Sequence, residues 1–477
     1  MNAMKHNTLL MPRPAPLTTA AALMAGLSWA AATVVWPANL DAQRPQGPGR
    51  HPNVVLIVTD DLGYGDLGSY GVPDARTPHL DRLAREGVRL TDSYANGAVC
   101  SPTRAALVSG RYQQRVGIEW VLSPNDEARG LPVTGTSLPA LLKNGGYATG
   151  LFGKWHLGFT PASGPNAHGF DEFFGFLSGA VDYWTHKRGD GQPDLFENTT
   201  PVAVPTYLTD EITHRTVTFI DRHAAGPFFV EVAYNAVHWP FEAPDKPPTE
   251  EQRKAPPHLY QGPHDPVPPT RQDYVKVLER ADQGVGEILA ALERRGLVND
   301  TLVIFTNDNG GEWLSRNDPF FHHKGTLWEG GIRVPLILRW PGRLPANKTS
   351  AQAAITLDLS ASILAATGTA APPGFHPDGV DLLPILRGDA PVVERRLFWR
   401  IQQSDRQQKA VRAGSWKLIV DGSGRVPNMS EHLLFDLRSD PGERRDLALR
   451  HPDIVVRLTK LLAEWEQDVD ADASKTR

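Results

Sequence analysis

The sequence predicts an α/β fold: a large, mainly parallel sheet with helices on both faces, followed by a small C-terminal α+β domain with a short antiparallel sheet. Three observations predict it. Short apolar runs alternate with helical stretches over most of the chain, as in repeated βαβ units. These runs are continuously apolar, which is typical of buried parallel strands. After about Gly388 the segments instead look like short antiparallel strands.

Five apolar runs are predicted strands of the large sheet, at residues 53–58, 148–152, 228–233, 302–306 and 334–338. Helices are predicted between them. Thr77 and Pro78 begin one that runs to Glu86, because a capping residue and an N-terminal proline are followed by Gly87. A longer helix is predicted from one apolar stripe at helical spacing: Tyr274, Leu278, Ala281, Val285, Ile288 and Leu292.

The change from alternating strand and helix signals to short antiparallel strands predicts a domain boundary. The larger domain would cover residues 50–388 and the smaller one residues 389–477. Three segments of the smaller domain are predicted antiparallel strands, at residues 397–400, 409–412 and 416–420. A final amphipathic helix is predicted over residues 452–468. Within the larger domain, residues 240–269 carry ten prolines and little periodicity. Such a loop is usually a functional wall or a disordered insertion.

The overall composition is that of an ordinary globular protein and excludes several classes. Of 477 residues, 40% are hydrophobic and 22% are charged, so disorder, collagen and coiled coil are disfavoured. The formal charge of -5 provides no basic field, so no nucleic acid partner is expected. Cys100 is the single cysteine, which excludes an intrachain disulfide and a cysteine-based zinc cluster.

Residues 1–42 resemble a secretory signal peptide. Lys5 and Arg13 precede an apolar, alanine-rich run over residues 17–36, and candidate cleavage sites follow Ala38 and Ala42. The run is nearly long enough to span a bilayer, so an uncleaved anchor is the alternative. We expect an exported protein, periplasmic or secreted, with no membrane association after cleavage.

Asp60 and Asp61 directly follow the first predicted strand. In open α/β sheets, ligands bind beyond the carboxyl ends of the strands. Two adjacent carboxylates repel each other there unless a cation neutralises them, and hard cations such as Ca²⁺ and Mg²⁺ take oxygen ligands. The alternative is a helix N-cap with an exposed neighbour. A G-x-G-x-x-G pattern begins at Gly63, but the aspartates around it disfavour a bound pyrophosphate.

A second motif joins a cysteine to an arginine in the pattern C-x-P-x-R, from Cys100 to Arg104. Pro102 suits the first turn of a helix. Cys100 is therefore expected at a helix N-terminus, where free N–H groups and the macrodipole favour anions. Arg104, four residues later, is expected near the same end. A buried cysteine before an ordinary helix is the alternative.

Three further motifs follow predicted strands. Lys154 and His156, in Gly-Lys-Trp-His-Leu-Gly, are two residues apart and would share a face of an extended segment, which suits an anionic group. His238, in Asn-Ala-Val-His-Trp-Pro, precedes the proline-rich loop, where a structural histidine is the alternative. Asp308 and Asn309 occupy a glycine-rich turn and can complete an oxygen cage with the aspartates after the first strand, although such residues also form simple turns.

Taken together, these motifs resemble those of the formylglycine-dependent sulfatases, and the resemblance covers roughly residues 50–445. It implies an arylsulfatase-like enzyme with the alkaline-phosphatase-like α/β/α sandwich fold. It also implies that a maturation enzyme oxidises Cys100 to formylglycine (3-oxoalanine). A hydrated aldehyde offers two hydroxyls on one carbon: one attacks sulfur, and the other expels sulfate by collapsing to the carbonyl. The substrate would be a sulfate ester of a small molecule or a carbohydrate.

The resemblance assigns roles residue by residue. The implied metal ligands are Asp60, Asp61, Asp308 and Asn309, with an oxygen of the residue formed from Cys100; the implied ion is Ca²⁺, with Mg²⁺ as the alternative. The implied catalytic residues are Cys100, Arg104, Lys154, His156, His238 and Lys324. Lys324 begins a K-G-x-x-x-E-G-G-x-R-x-P segment and would contact sulfate, whereas Arg333 in that segment is interpreted as structural. Gly330 and Gly331 are predicted to allow tight turns.

Two alternative functions remain at this stage. A phosphate or phosphonate monoester hydrolase of the same superfamily would tolerate the same residues. A catalytically inactive protein would keep the fold and bind sulfated glycans. The sequence does not distinguish among aryl sulfates, sulfated monosaccharides and sulfated polysaccharides, and it leaves the oligomeric state and glycosylation of its sequons open.

Overall fold

A computed structural model describes residues 51–476 of the protein, apart from residues 127, 256, 259–266, 404–405 and 422–430. The predicted signal peptide at residues 1–42 lies outside these residues, as does part of the proline-rich stretch. In the described part of that stretch, residues 250–254 form a short helix. None of the helices within the described ranges is long and apolar enough to cross a membrane.

The strands are numbered in chain order. They are β1 Asn53–Thr59, β2 Val88–Leu90, β3 Ser93–Tyr94, β4 Ala148–Lys154, β5 Glu172–Phe176, β6 Phe196–Glu197, β7 Thr200–Pro201, β8 Phe228–Ala233, β9 Thr301–Asn307, β10 Leu336–Arg339, β11 Lys348–Ser350, β12 Ala354–Ile355, β13 Arg396–Gln403, β14 Arg406–Ala413, β15 Trp416–Val420 and β16 His432–Asp436.

The α-helices are numbered in the same way. They are α1 Pro78–Arg85, α2 Cys100–Ser109, α3 Leu138–Asn144, α4 Leu208–His223, α5 Glu250–Lys254, α6 Arg271–Arg294, α7 Glu329–Ile332, α8 Leu357–Thr367, α9 Leu383–Arg387 and α10 Pro452–Thr476. The two helices predicted in the larger domain are confirmed as α1, which Thr77 precedes as N-cap, and α6.

Among the described residues, ten strands form one mixed sheet in the order β11-β2-β10-β9-β1-β8-β4-β5-β6-β7. Its centre is parallel: β1 pairs with β8 and β9, and β4 pairs with β8 and β5. The predicted strand at 334–338 forms two residues later, as β10, and runs antiparallel to both neighbours. The delay has a physical reason, because Pro335 has no N–H to donate to a ladder.

Helices cover both faces of this sheet, which confirms the predicted architecture. Successive strand residues point to opposite faces. Val55 and Ile57 of β1 therefore face an apolar layer that includes residues of α1, α4 and α6. Val54 and Leu56 face a second layer, with residues of α2, α3, α8 and α9. The parallel centre is buried on both sides, as its continuously apolar strands require.

The C-terminal residues form a four-stranded antiparallel sheet in the order β13-β14-β15-β16. The three predicted strands are present, and β16 is an additional one. Helix α10 begins at Pro452 as expected but continues to Thr476. An apolar cluster joins this sheet and α10 to Tyr94 and Trp328 of the preceding chain. The domain boundary at residue 388 stays a prediction.

A buried charge triad also connects this sheet to the larger part of the chain. The ammonium of Lys417 on β15 lies 2.8 Å from Glu329 and 2.9 Å from Glu443, and all three side chains are fully buried. Glu443 also accepts a hydrogen bond from the backbone N–H of Glu329. Burial raises the pKa of Glu443 to about 7, and the nearby Glu329 adds to that effect against the attraction of Lys417.

The triad makes stability depend on pH. A carboxyl whose folded pKa lies above its unfolded value, near 4.5, stabilises the protein fully below pH 4.5 and loses that contribution as pH rises through 7. Relative to Glu443→Gln, the wild-type free energy of unfolding should therefore fall by about 1–3 kcal/mol between pH 5 and pH 8. Urea unfolding measured across that range tests this, with the exposed Glu431→Gln as control. Parallel curves for wild type and Glu443→Gln would contradict it.

Candidate active site

The predicted site residues converge at one edge of the large sheet. Four neighbouring parallel strands, in the order β9-β1-β8-β4, end there. Backbone hydrogen bonds continue past the strand ends, since the Asp60 N–H donates to Ala236 and its carbonyl accepts from Val237. The ends of these strands and the turns that follow them carry Asp308–Asn309, Asp60–Asp61, His238 and Lys154–His156.

The two aspartates after β1 each face a lysine. Asp60 Oδ2 lies 2.6 Å from Lys154 Nζ, and Asp61 Oδ2 lies 2.6 Å from Lys324 Nζ. Burial opposes the charge of both lysines, but the carboxylates outweigh it, so the pKa of Lys154 is raised and that of Lys324 is raised well above its usual value. Both ammonium groups therefore stay charged at neutral pH.

Arg104 and Asp308 form a third buried ion pair. Arg104 Nε and Nη2 donate to Asp308 Oδ2 at 3.0 and 2.9 Å, and Nη1 donates to the carbonyl of Lys154. The same guanidinium lies 3.7 Å from Asp60 Oδ2. Asp308 Oδ1 accepts a 3.4 Å hydrogen bond from the Asp61 N–H, so the turns after β9 and β1 are in contact.

Cys100 is the first residue of α2, as predicted, and it is buried within this charged group. Its Sγ lies 3.6 Å from Asp60 Oδ1. Burial raises the pKa of the thiol to about 12 despite the nearby lysines. The unmodified side chain is thus a protonated thiol rather than the thiolate that acts as a sulfur nucleophile.

The turn after β4 differs from the extended segment that the sequence predicted. Lys154 is the last residue of β4, whereas His156 adopts a left-handed backbone with φ of 57°, so the two do not share a face of one extended segment. Gly153 permits the close pairing before it: its φ is 120°, and a Cβ there would lie 1.9 Å from the carbonyl oxygen of Ala233 on β8.

His156 is held in one tautomer. Its Nε2 lies 3.1 Å from the carbonyl oxygen of Leu122, which can only accept, so Nε2 carries the proton. Among the described residues, the buried Nδ1 has no hydrogen-bond partner. Burial, and secondarily Lys154, lower the pKa of His156 well below its usual value. The ring is neutral and offers an unprotonated nitrogen.

His238 lies on the other side of Asp61. Its Nδ1 donates to the carbonyl of Trp239 at 2.6 Å, and its Nε2 is 3.5 Å from Asp61 Oδ2. Burial, followed by Lys324, lowers the pKa of His238 well below its usual value, although Asp61 opposes the shift.

Asn309 and the aspartates form an oxygen-rich group that fits a hard cation. Asn309 Nδ2 donates to Asp61 Oδ1 at 2.7 Å, whereas its buried Oδ1 has no hydrogen-bond partner among the described residues. A buried unpaired acceptor is costly unless a donor or cation faces it. By contrast, Asn307 lies one step nearer the strand and is occupied by hydrogen bonds with Thr59 and Leu62, which leaves Asp308 and Asn309 as the candidate ligands from this turn.

Lys324 reaches the site from a segment that does not follow a parallel strand. Its backbone N–H donates to Gly311, and the next residue, Gly325, donates to Ala98. The glycines of α7 do not adopt the positive φ of a tight turn. They allow close packing instead, because a Cβ on Gly331 would lie 2.0 Å from the Thr326 carbonyl oxygen. Arg333 bonds Asp92 and Tyr94, consistent with its structural interpretation.

One further set of potential ligand atoms appears in the structure. Atoms of Asp60, Asp61, Cys100 and His238 all lie within 4.8 Å of one another. The sequence placed His238 among catalytic residues and not among metal ligands. It also missed the Leu122 carbonyl that orients His156, since a backbone acceptor on an irregular segment leaves no motif.

Comparisons with known proteins place this geometry in a family. A family model described as Sulfatase matches residues 52–369, and one described as N-sulphoglucosamine sulphohydrolase, C-terminal, matches residues 318–468. The N-acetylgalactosamine-6-sulfatase of Canis lupus familiaris is 32% identical over 94% of this chain and 91% of its own. Arylsulfatase A of Bos taurus is 34% identical over 87% of this chain and 86% of its own.

Solved structures agree. The crystal structure of Ps i-CgsB in complex with k-i-k-neocarrahexaose is 30% identical, with a TM-score of 0.76, and covers 87% of this chain and 93% of its own. A putative sulfatase, yidJ from Bacteroides fragilis, shares the fold at 22% identity, with a TM-score of 0.71 over 91% of this chain and 99% of its own. The expected alkaline-phosphatase-like architecture is confirmed. The chain belongs to the sulfatase family of sulfuric ester hydrolases.

Proposed function

We propose that this enzyme hydrolyses sulfate monoesters, above all sulfated carbohydrates, to an alcohol and inorganic sulfate. The proposal includes formylglycine formed from Cys100 and one divalent cation. One observation carries it: Cys100 is enclosed by three ion pairs, whose cations Arg104, Lys154 and Lys324 can surround a small tetrahedral anion. Aligned charges in a buried site stabilise the charge that develops as a sulfate ester reacts.

Formylglycine at position 100 would supply, when hydrated, a hydroxyl for attack at sulfur and a second hydroxyl whose deprotonation releases sulfate. A maturation enzyme acting before folding is complete would make this conversion, because Cys100 is only 2% exposed in the folded chain. Export, periplasmic or secreted, remains part of the proposal and rests on the leader sequence alone.

Asp60, Asp61, Asp308 and Asn309 would hold the cation, with an oxygen of residue 100. Their donors are all oxygens, which favours Ca²⁺ or Mg²⁺ over softer metals. The bound cation would supply positive charge next to the reacting oxygens. Lys154 and Lys324 pair with Asp60 and Asp61, and a cation bound to these carboxylates would leave both lysines available to bind sulfate.

The chain's own residues divide the remaining tasks. Arg104 is anchored by Asp308 and faces residue 100 from the next turn of α2. Lys154 and Lys324 would bind sulfate oxygens from two sides. His156 would accept a proton at Nδ1 from residue 100, because the Leu122 carbonyl holds the proton of the ring on Nε2. This proton transfer would accompany sulfate release.

His238 would protonate the leaving oxygen from Nε2 of its doubly protonated ring. The neutral ring holds its one proton on Nδ1 against the Trp239 carbonyl, so Nε2 must first take up a second proton from solvent, and the charged Lys324 is the competing donor. A general acid contributes typically ~10²–10⁴-fold, and it matters most for poor leaving groups. We expect His238→Ala to slow alkyl or sugar sulfates far more than nitrophenyl sulfate. The slope of log rate against leaving-group pKa should therefore be steeper in the variant.

The control for this prediction is His214→Ala, a helix α4 residue outside the site, which should leave the slope unchanged. A uniform loss of rate in His238→Ala, with an unchanged slope, would move His238 to a positioning role and leave Lys324 as the acid.

Carbohydrate is the substrate class we favour. Ps i-CgsB holds a neocarrahexaose, and several relatives are named N-acetylgalactosamine-6-sulfatase. Aryl sulfates remain useful test substrates because arylsulfatase A is similarly related. A screen of sulfated sugars against the purified protein would identify the leaving group.

The main alternative is phosphate or phosphonate monoester hydrolysis, which the same constellation tolerates. Turnover of matched aryl sulfate and aryl phosphate esters separates the two. We expect the sulfate ester to be preferred, and a preference for the phosphate ester would overturn the proposal. A protein that binds sulfated glycans but turns over neither ester would support the inactive alternative.

A further inference from the structure

A short segment at residues 118–122, the site strap, touches three parts of the candidate site. The backbone N–H of Leu122 donates to Ser101 Oγ, next to the nucleophile position, and its carbonyl accepts from His156. Trp120 in the middle of the strap reaches Gly325, the residue after Lys324, with its ring edge 4.0 Å from the position of a Cβ there. The strap therefore lies across the site from Ser101 to Gly325.

The side chains around the site differ in their exposed fractions, and this difference shows on which side the site is open to solvent. Lys154 is 0% exposed, whereas Lys324 is 11% exposed. Of the two sulfate-binding lysines, Lys324 is therefore nearer to solvent. A sulfate group held between them would direct its ester oxygen, and the leaving group attached to it, toward the Lys324 side.

Trp120 is placed on that side. Its indole is half-buried and packs against the apolar cluster that contains Ala98 and Leu327. The outer edge of its ring lies at Gly325, next to Lys324, on the side where the leaving group would lie. Tryptophan presents a flat apolar face with few rotatable bonds, which suits stacking on a six-membered ring.

The strap is also held rigidly. Arg400 on β13 donates to both carboxylate oxygens of Glu119, at 2.7 and 2.8 Å. The same guanidinium pairs with Glu466 and Asp470 of α10. The residue next to Trp120 is thus held against the C-terminal sheet, which fixes the backbone that carries Trp120 and lowers the entropy lost when a ligand binds.

We infer that Trp120 is a specificity-determining residue that stacks on the ring of the leaving group, a pyranose or an aryl ring, while the lysines hold the sulfate. This inference rests on the proposed function and deepens it. Trp120 would contribute to recognition of the alcohol part and nothing to recognition of sulfate itself.

The test compares Trp120→Leu, which removes the flat ring, with Trp120→Phe, which keeps one. For Trp120→Leu we expect kcat/KM on 4-nitrophenyl sulfate and on a sulfated pyranose to fall roughly tenfold, the scale of a lost stacking contact. Inhibition constants for inorganic sulfate and methyl sulfate should stay within about twofold of wild type. Trp120→Phe should retain most of the activity on both ring esters.

Trp416→Leu is the matched control, since Trp416 is also half-buried but lies on β15 of the C-terminal sheet, with its ring centroid 5.1 Å from that of His451. It should change none of these constants. Equal losses for ring esters and for inorganic sulfate in Trp120→Leu would overturn the inference, because the ring would then support the sulfate pocket. Full activity of Trp120→Leu on ring esters would overturn it as well.

Failure of the proposed function gives a different result. Wild-type protein that turns over no sulfate ester would contradict that function. The stacking role of Trp120 can then be tested separately, by calorimetric measurement of phenyl sulfate binding to wild type and to Trp120→Leu. Weaker binding by Trp120→Leu, with inorganic sulfate unaffected, supports the stacking role. Equal affinity of wild type and variant for phenyl sulfate overturns it.

Discussion

Replacing Cys100 by serine is expected to abolish multiple turnover. Serine would keep a hydroxyl at the N-terminus of α2, between the cations of the site. It lacks the second hydroxyl on the same carbon, so a sulfated serine cannot collapse to a carbonyl and release sulfate. We expect steady-state turnover of aryl sulfates to fall by more than roughly 10³-fold, the scale on which loss of a nucleophile acts.

Single-turnover chemistry distinguishes this loss from simple misfolding. Cys100→Ser incubated with substrate should accumulate sulfate bound at residue 100, visible by mass spectrometry of the peptide. Ser109→Ala, at the other end of α2, removes a hydroxyl whose hydrogen bonds within the described residues are to the local backbone at Ala105 and Arg111, and it should retain activity. Near wild-type turnover by Cys100→Ser would disprove the formylglycine mechanism.

The second large effect is expected for Lys154→Met. Lys154 is fully buried against Asp60, and methionine keeps much of its volume without the charge. Lys154 would lie next to the negative charge that develops on the sulfate group in the transition state. Removing this cation should lower kcat/KM by roughly 10²–10³-fold. Asp60 would then keep only the more distant Arg104, 3.7 Å away, and losing the nearer cation from a buried pair should also cost up to about 3–5 kcal/mol of folding stability.

A divalent cation should reduce the stability cost, since positive charge near Asp60 replaces the lost ammonium. At about a hundred times its dissociation constant, a ligand stabilises the folded state by about 2.7 kcal/mol. Melting temperatures should therefore rise with Ca²⁺ in wild type, and rise further in Lys154→Met. Lys143→Met, which removes a 49% exposed lysine paired with Asp171, should cost less than about 1 kcal/mol and keep full activity. Melting temperatures unaffected by Ca²⁺ or Mg²⁺ would contradict the metal assignment.

The parts of the site that could be predicted from sequence are those adjacent to buried strands. Asp60 and Asp308 follow continuous apolar runs, and the ends of parallel neighbours meet at one edge, so their proximity follows from local pattern and topology. The Cys100 to Arg104 spacing likewise fixes two side chains on one helix. These relations need no knowledge of distant packing.

Other features depend on tertiary contacts that no local pattern encodes. Lys324 lies on an irregular segment, and only the family motif pointed to it. The orientation of His156 depends on a backbone carbonyl of Leu122, 34 residues away in the chain. Lys417 looks like an ordinary surface lysine of a short strand, yet it is fully buried between two carboxylates. The antiparallel direction of β10 depends on the path by which the chain returns to the sheet after β9. The apolar content of the strand does not indicate that path.

The proposed mechanism depends above all on the chemical state of residue 100, which can be determined on the maturation product. The protein is produced together with a formylglycine-generating enzyme, digested, and the peptide containing residue 100 is analysed by mass spectrometry and by reaction with a hydrazide. We expect a peptide in which an aldehyde replaces the thiol, in a fraction that rises and falls with specific activity across preparations. A fully active preparation whose residue 100 is entirely unmodified cysteine would contradict it.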